Sequence, residues 1–463
     1  MQTLSPPRPP VAAAPVPARA TGFYRYDLDG LRGIAIALVA AFHVWFGRVS
    51  GGVDVFLALS GFFFGGKILR TALNPDLALS PAAEVVRLVR RLLPALVVVL
   101  AGCGLLTVLV QPETRWETFA DQSLASLGYY QNWELANSAA DYLRAGEAVT
   151  PLQHIWSMSV QGQFYVAFLL LVAGCAVLLR RPLAAHLRTV FLVLLGALTV
   201  ASFIYAAIAH QDNQALAYYN SFARAWELLL GALVGAVVPH VRWPMWLRTA
   251  LAAAALAAIV SCGALIDGVK EFPGPWALVP VGATMLMILA GANLPAGAGD
   301  RLPLPNRMLA AGPLVALGAM AYSLYLWHWP LLIFWLSYSG HRHAGFVDGA
   351  AVLLVSGVLA YLTTRLVEDP RAPLVAAPAQ TDDGAGVDGG AARRHAHRDV
   401  VHLASARHGV ARRGQGAQRP QPAGLPGRAG PHRARAGPGA ADAAQRAGGQ
   451  GRPADLDPGR LHQ

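Results

Sequence analysis

Long apolar runs separated by short polar loops fill the chain from about residue 30 to about residue 370. A helix that crosses a bilayer needs about 20 mostly apolar residues. Ten stretches fit that pattern, centred on 31–47, 53–70, 92–110, 160–179, 188–209, 222–239, 246–266, 275–292, 311–337 and 347–367. The eighth is the weakest, because Pro275 and Pro280 crowd its start. The pattern predicts an all-α integral membrane protein with about ten transmembrane helices in residues 23–373. An N-terminal arm (1–22) and a C-terminal tail (374–463) flank it.

The flanks read differently. Residues 1–22 are rich in Pro and Ala, and no apolar run follows closely enough for a cleavable signal peptide. A disordered cytoplasmic arm is predicted. Residues 376–463 contain no Phe, Trp, Tyr, Ile, Met, Cys or Lys. Such a segment cannot bury enough apolar surface to offset the entropy of ordering it, so the tail is predicted to be disordered. Its Ala, Gly, Arg and Pro also fit out-of-frame translation of a GC-rich gene, in line with 35 Arg against 2 Lys in the whole chain.

Loop charge predicts orientation. Arg8, Arg19, Arg25, Lys67, Arg70, Arg87, Arg90, Arg91, Arg180, Arg181, Arg188, Arg242, Arg248, Arg301 and Arg307 fall on one side of the ten-span scheme. The other side is acidic or mixed, with Glu113, Glu117, Asp121, Glu134, Asp141 and Glu147. Basic loops stay in the cytoplasm, which places both termini inside and the 111–153 loop outside the cell (inner) membrane. That loop carries Trp116, Tyr129, Tyr130, Trp133 and Tyr142. It reads as interfacial helix, with an aromatic carbohydrate platform as the alternative.

Composition agrees with the membrane class. The chain is 55% hydrophobic and 14% charged, with mean hydropathy +0.41. Soluble domains carry about 25% charged residues. The net charge of +11 is no sign of nucleic-acid binding, because the 376–463 tail alone has 13 Arg and 7 Asp. The lipid bilayer is the partner this composition implies. Cys103, Cys175 and Cys262 lie in apolar runs and have neither metal nor disulfide spacing. No metal is expected.

Ionisable groups inside spans are costly and therefore candidate functional residues. Arg32 and His43 are eleven residues apart, three helical turns and nearly one face, with about 16 Å of rise between them. The chain then turns through Gly47, Gly51 and Gly52 and re-enters at Asp54. An antiparallel hairpin puts His43 and Asp54 at similar depth. A carboxylate beside an imidazole fixes its tautomer and raises its basicity, which predicts a general base. The alternative is a His–Asp pair that only ties two helices together. Arg90 and Arg91 suit bidentate contacts to phosphate, or plain cytoplasmic loop charge. The segments opening at His154, at Arg224 and at Tyr322 add polar groups at span depth. Ser60, Trp156, Ser157, Gln161, Gln163, Glu227, Tyr325 and His328 are predicted to line an inward-facing polar cavity.

Seven stretches in order, DLDGLRGIAIALVAAFH, GGVDVFLALSGFF, RRLLPAL, HIWSMSVQGQFY, RAWELLLGA, YSLYLWHWP and VEDP, resemble the type-3 acyltransferase family of membrane-bound O-acyltransferases. They span about 25 to 370. The resemblance implies transfer of an acyl group, commonly acetyl from acetyl-CoA, to a hydroxyl of a glycan or glycoside in the cell envelope. It places the family's Arg-x10-His motif on Arg32 and His43, its second-span Asp on Asp54 and its loop arginines on Arg90 and Arg91. Acyl-CoA phosphates are then expected among Arg32, Arg90 and Arg91, with His43 as general base. Many members read Glu-Glu-Gln where this chain has Gln161-Gly162-Gln163. The Gln-Gly-Gln form resembles an actinobacterial branch that often continues into an SGNH-hydrolase-like domain, for which no Gly-Asp-Ser motif appears here. Two rivals follow from the same residues: a polytopic transporter or flippase of a glycan or lipid precursor, and an inactive, truncated family member.

Overall fold

The computed structural model describes residues 24–74, 79–140, 149–179, 186–294 and 302–368. The arm at 1–22 and the tail at 374–463 lie outside the described residues. Among the described residues every regular element is helical and no strand occurs.

Seven helices are long and apolar enough to cross a membrane: Tyr26–Phe46, Gly52–Leu73, Pro81–Val110, Gln153–Leu179, Leu187–Asp212, Met245–Leu265 and Phe346–Glu368. They coincide with seven of the ten predicted stretches. The other three stretches are helical but fall short of the criterion. Ser221–Val237 has 17 residues. Pro275–Ala290 is a shorter apolar helix. The 311–337 stretch breaks at Met320 into Gly312–Ala319 and Ala321–Ser339, and the second piece is rich in Tyr, Trp and His. Length and apolarity therefore support seven crossings, and the count of ten is not established.

We number the elements that build the site. α1 is Tyr26–Ala41, widening into a π turn at Phe42–Phe46. α2 is Gly52–Ser60, and α3 is Pro81–Val110. α4 (Trp116–Leu127) and α5 (Gln131–Ala140) occupy the predicted interfacial loop, whose residues 141–148 are outside the described set. α6 is Trp156–Leu179, α7 is Leu187–Asp212 and α8 is Ser221–Val237. α9 is Ala321–Ser339 and α10 is Phe346–Thr363.

Local chemistry sets these boundaries. Gly47 (φ 58°) and Gly51 (φ 77°) hold the left-handed conformations that reverse the chain between α1 and α2. Ser80 caps α3 by accepting from the Ala83 amide, with Pro81 at the first helical position, where its missing N–H costs nothing. Asn220 caps α8 by accepting from the amides of Phe222 and Ala223.

Packing follows the membrane rule that small residues bring helices close. A side chain at Gly61, just after α2, would strike the Leu228 backbone of α8, and one at Gly231 would strike Ala58 of α2. α8 packs against both α2 and α7, and α9 packs against α10. The bundle is apolar outside as well as inside: Val177, Leu178 and Leu354 are at least 70% exposed. A lipid solvent accepts such a surface, whereas water would not.

Candidate active site

The C-terminal turn of α1, the N-terminal end of α6 and the middle of α9 converge on three histidines. His43 sits in the π turn, a geometry that recurs at functional positions. Its Nδ1 lies 3.1 Å from His328 Nε2, and the two rings are nearly parallel (8°) with centroids 5.4 Å apart, the spacing of two rings joined edge to edge through that contact. His154 meets the His328 ring edge-on at 5.7 Å. Trp329 closes on His43 at 4.8 Å, and its indole N–H donates to the Thr150 carbonyl. His328 Nδ1 is 3.0 Å from the Leu324 carbonyl and 2.9 Å from that of Tyr325.

Tyr325 shows how the cluster is fixed. Its hydroxyl donates its one proton to the His154 carbonyl, so Ser157 must be the donor in the 2.8 Å Ser157–Tyr325 contact. His154 itself is 5% exposed, yet neither ring nitrogen has a partner among the described residues. His43 is half-buried, and its Nε2 makes no hydrogen bond among them.

The predicted His43–Asp54 contact does not form. Asp54 Oδ1 accepts from Arg224 Nη1 at 2.8 Å, and the same nitrogen donates to Glu227 Oε1 at 3.0 Å. Arg224 Nε donates to the Tyr218 carbonyl, and the guanidinium lies over the rings of Trp156 (5.0 Å) and Tyr218 (4.7 Å). All three charged side chains are buried. Equal depth did not mean equal direction: Asp54 faces α8 while His43 faces α9.

The remaining predicted residues divide among other settings. Gln161 donates to the hydroxyls of Ser60 and Tyr165. Gln163 donates to the Tyr129 carbonyl (2.7 Å) and to Asn132 (2.8 Å), and accepts from Trp133 (3.1 Å) and Ser221 (2.6 Å). It ties α5 and the chain before it to α6 and α8. Arg32 pairs with Asp29 at 3.6 Å and lies within electrostatic reach of Arg91 and Tyr165. Glu368 feels both Arg91 and Arg32. Arg90 and Arg91 are exposed on α3.

Arg224 and His154 stood in the quoted motifs without being singled out. Arg224 could have been found, because it lies one turn from Glu227 in an otherwise apolar helix. His154 precedes its helix in a short 3₁₀ turn, where no helical face can be assigned. Among the described residues no group of three His, Cys, Asp or Glu is placed to hold a metal ion.

Residues 25–365 match the acyltransferase-domain family. The chain is 34% identical over 364 residues to a protein of Komagataeibacter xylinus named as a membrane-bound transacylase, covering 76% of this chain and 86% of that one. It is 27% identical over 364 residues to a protein of Bacillus subtilis named as a peptidoglycan O-acetyltransferase, covering 76% of this chain and 55% of that one. It is 25% identical over 362 residues to an O-acetyltransferase of Staphylococcus aureus, covering 75% and 57%. The chain thus spans little more than half the length of the latter two. No solved structure matches it. The chain belongs to the type-3 acyltransferase family and is a multi-pass membrane acyltransferase.

Proposed function

We propose that this protein transfers an acetyl group from acetyl-CoA to a hydroxyl of a cell-envelope glycan, with His43 as general base. The observation that carries the reading is His43 itself. It is half-buried in the bundle, fixed at Nδ1 by His328, and keeps Nε2 free of any protein partner among the described residues. Two relatives that bear O-acetyltransferase names support the reaction class.

Nε2 takes the acceptor's hydroxyl proton as that oxygen attacks the thioester carbonyl. The C–S bond breaks, an ester C–O bond forms, and the imidazolium returns its proton to the leaving thiolate. CoASH and the O-acetylated glycan result. A general base of this kind is worth about 10²–10⁴-fold in rate. His154, buried with open ring nitrogens, is suited to donate to the carbonyl oxygen as negative charge develops there. Arg32 and Arg91 sit where the donor's phosphates would lie, on the basic and hence cytoplasmic side, with Arg90 beside them. With ten crossings both chain termini would share that side of the cell (inner) membrane, whereas seven would put them on opposite sides.

The test is release of CoA from acetyl-CoA by purified protein, with a β-1,4-linked N-acetylhexosamine oligomer as acceptor. Thiol release and acetylated oligomer should appear together, and both should vanish in His43→Ala. Turnover by His43→Ala at the wild-type rate would overturn the proposal.

A further inference from the structure

We infer that His328 is the positioning residue that sets the tautomer of His43, holding its proton on Nδ1 so that Nε2 faces the substrate as the base. This rests on the general-base reading of His43 above, and assigns to an imidazole on α9 the task first expected of Asp54.

The assignment follows from donor and acceptor chemistry. His328 Nδ1 lies 3.0 and 2.9 Å from two backbone carbonyls, Leu324 and Tyr325. Carbonyl oxygens only accept, so that nitrogen carries a proton. His328 is fully buried, and no carboxylate hydrogen-bonds to it among the described residues. A charged ring there would be uncompensated, so the ring is neutral and its Nε2 is a bare lone pair. That lone pair points at His43 Nδ1 across 3.1 Å, which makes His43 Nδ1 the donor. In neutral His43 the remaining nitrogen, Nε2, is then unprotonated. The tautomer of a histidine is set by what its other nitrogen bonds, and here the chain of setting runs from two helix carbonyls through His328 to His43.

The arrangement is anchored on the backbone of α9. Tyr325, one turn before His328, is pinned between Ser157 and the His154 backbone. Both ends of the relay are thus held by backbone. When His43 becomes an imidazolium during transfer, its Nδ1–H still faces an acceptor, and the proton gained on Nε2 is the one delivered to the thiolate.

Two measurements test this on the full-length protein. The first is ¹⁵N solid-state NMR of histidine-labelled wild type in lipid, with His43 resonances identified by their loss in His43→Ala. One protonated, pyrrole-type Nδ1 and one pyridine-type Nε2 are expected. A protonated Nε2 on neutral His43 overturns the inference, whatever the kinetics. The second compares His328→Phe, which has no acceptor, with His328→Gln, whose amide oxygen stands as many bonds from Cβ as the imidazole Nε2. His328→Phe should lower kcat for CoA release on the order of 10²–10⁴-fold with KM for acetyl-CoA little changed. His328→Gln should recover most of the loss. A His328→Phe protein with wild-type kcat refutes the positioning role while leaving His43 as base. An active His43→Ala refutes the base itself. If neither His328 variant folds, the wild-type spectrum still decides.

Discussion

Arg224 with Asp54 and Glu227, and His43 with His328 and His154, are two polar centres at similar places in the chain's architecture, and they are built on opposite rules. In the first, one cation holds the charges together: a single guanidinium binds two carboxylates, a backbone carbonyl and two aromatic faces, and Glu227 Oε2 stays buried without a partner among the described residues. In the second there are no carboxylates in contact, and valences stay open on His43 and His154. A guanidinium that holds two carboxylates inside the protein is committed to structure before any substrate arrives. Formal charge inside a span therefore marks cost, and the open lone pair marks chemistry. Here the charged centre straps α2 to α8, and under the proposed function the uncharged one faces the reaction.

The comparison breaks most visibly at Arg224. Arg224→Met leaves Asp54 and Glu227 buried without a cation. Losing one partner of a buried ion pair costs about 3–5 kcal/mol, a large part of any fold's stability. Little folded protein should be recovered after detergent extraction, and any that survives should melt well below wild type. Arg224→Lys should fall between, since an ammonium cannot reproduce the planar fork. An Arg224→Met protein that melts like wild type would show that the centre is not a strap.

His43→Ala should show the reverse profile. Turnover should fall by about 10²–10⁴-fold, while thermal melting and elution volume stay near wild type. His43 is half-buried and bonds only to His328, so little packing is lost. If melting falls as far as in Arg224→Met, the histidine centre is structural too.

Asp54→Asn sharpens the contrast, because Asp54 is the one residue whose assignment moved between centres. Arg224 keeps Glu227 and exchanges a charged acceptor for a neutral one. That should cost about 1–3 kcal/mol in melting measurements, the usual range for a compromised buried polar contact. Turnover per folded molecule should drop far less than in His43→Ala. A loss of kcat matching His43→Ala, with melting unchanged, would return Asp54 to the chemistry.

What could be read from the chain, and what could not, follows from the same geometry. Apolar runs report that a segment is a span, and all seven long helices lie where the runs predicted. The Arg32–His43 spacing reports a shared helix face, because it depends only on the pitch of one helix. Which neighbour that face meets is a different question. His328 is 285 residues from His43, and Arg224 is 170 from Asp54. No local pattern encodes either pairing. The partners of the Gln161-Gly162-Gln163 stretch are equally unreadable from local pattern. Its two glutamines are two positions apart, flanking Gly162, about 200° around the helix, so they point in different directions. Gln161 reaches Ser60 and Tyr165 inside the bundle, while Gln163 reaches the chain before α5. The three short or broken helices depart from the expected spans for another reason. Ser221–Val237 and Pro275–Ala290 are apolar but short, and the Tyr-Trp-His run of α9 lowers apolarity where tertiary contacts, not lipid, supply the partners.

The smallest predicted effect concerns the donor end, where neither rule operates alone. Arg32 is half-buried against Asp29, and Arg91 is exposed on α3, yet the two are close enough for their charges to interact. Two like charges held together at a membrane surface favour an anion between them. Each would offer charge-assisted hydrogen bonds to the donor's phosphates, worth about 1.5–3 kcal/mol apiece in favourable geometry. Exposure and salt screening reduce this at Arg91 more than at Arg32. Arg32→Ala should therefore raise KM for acetyl-CoA on the order of tenfold, Arg91→Ala by less, and both with kcat little changed. Raising the ionic strength should weaken wild-type binding of acetyl-CoA and affect the double variant least. Because both arginines would hold one ligand, the double variant should cost less than the two losses added. Losses that add fully would mean the arginines serve separate contacts. A fall in kcat with unchanged KM would place Arg32 with His43 in the reaction rather than three turns away with the phosphates.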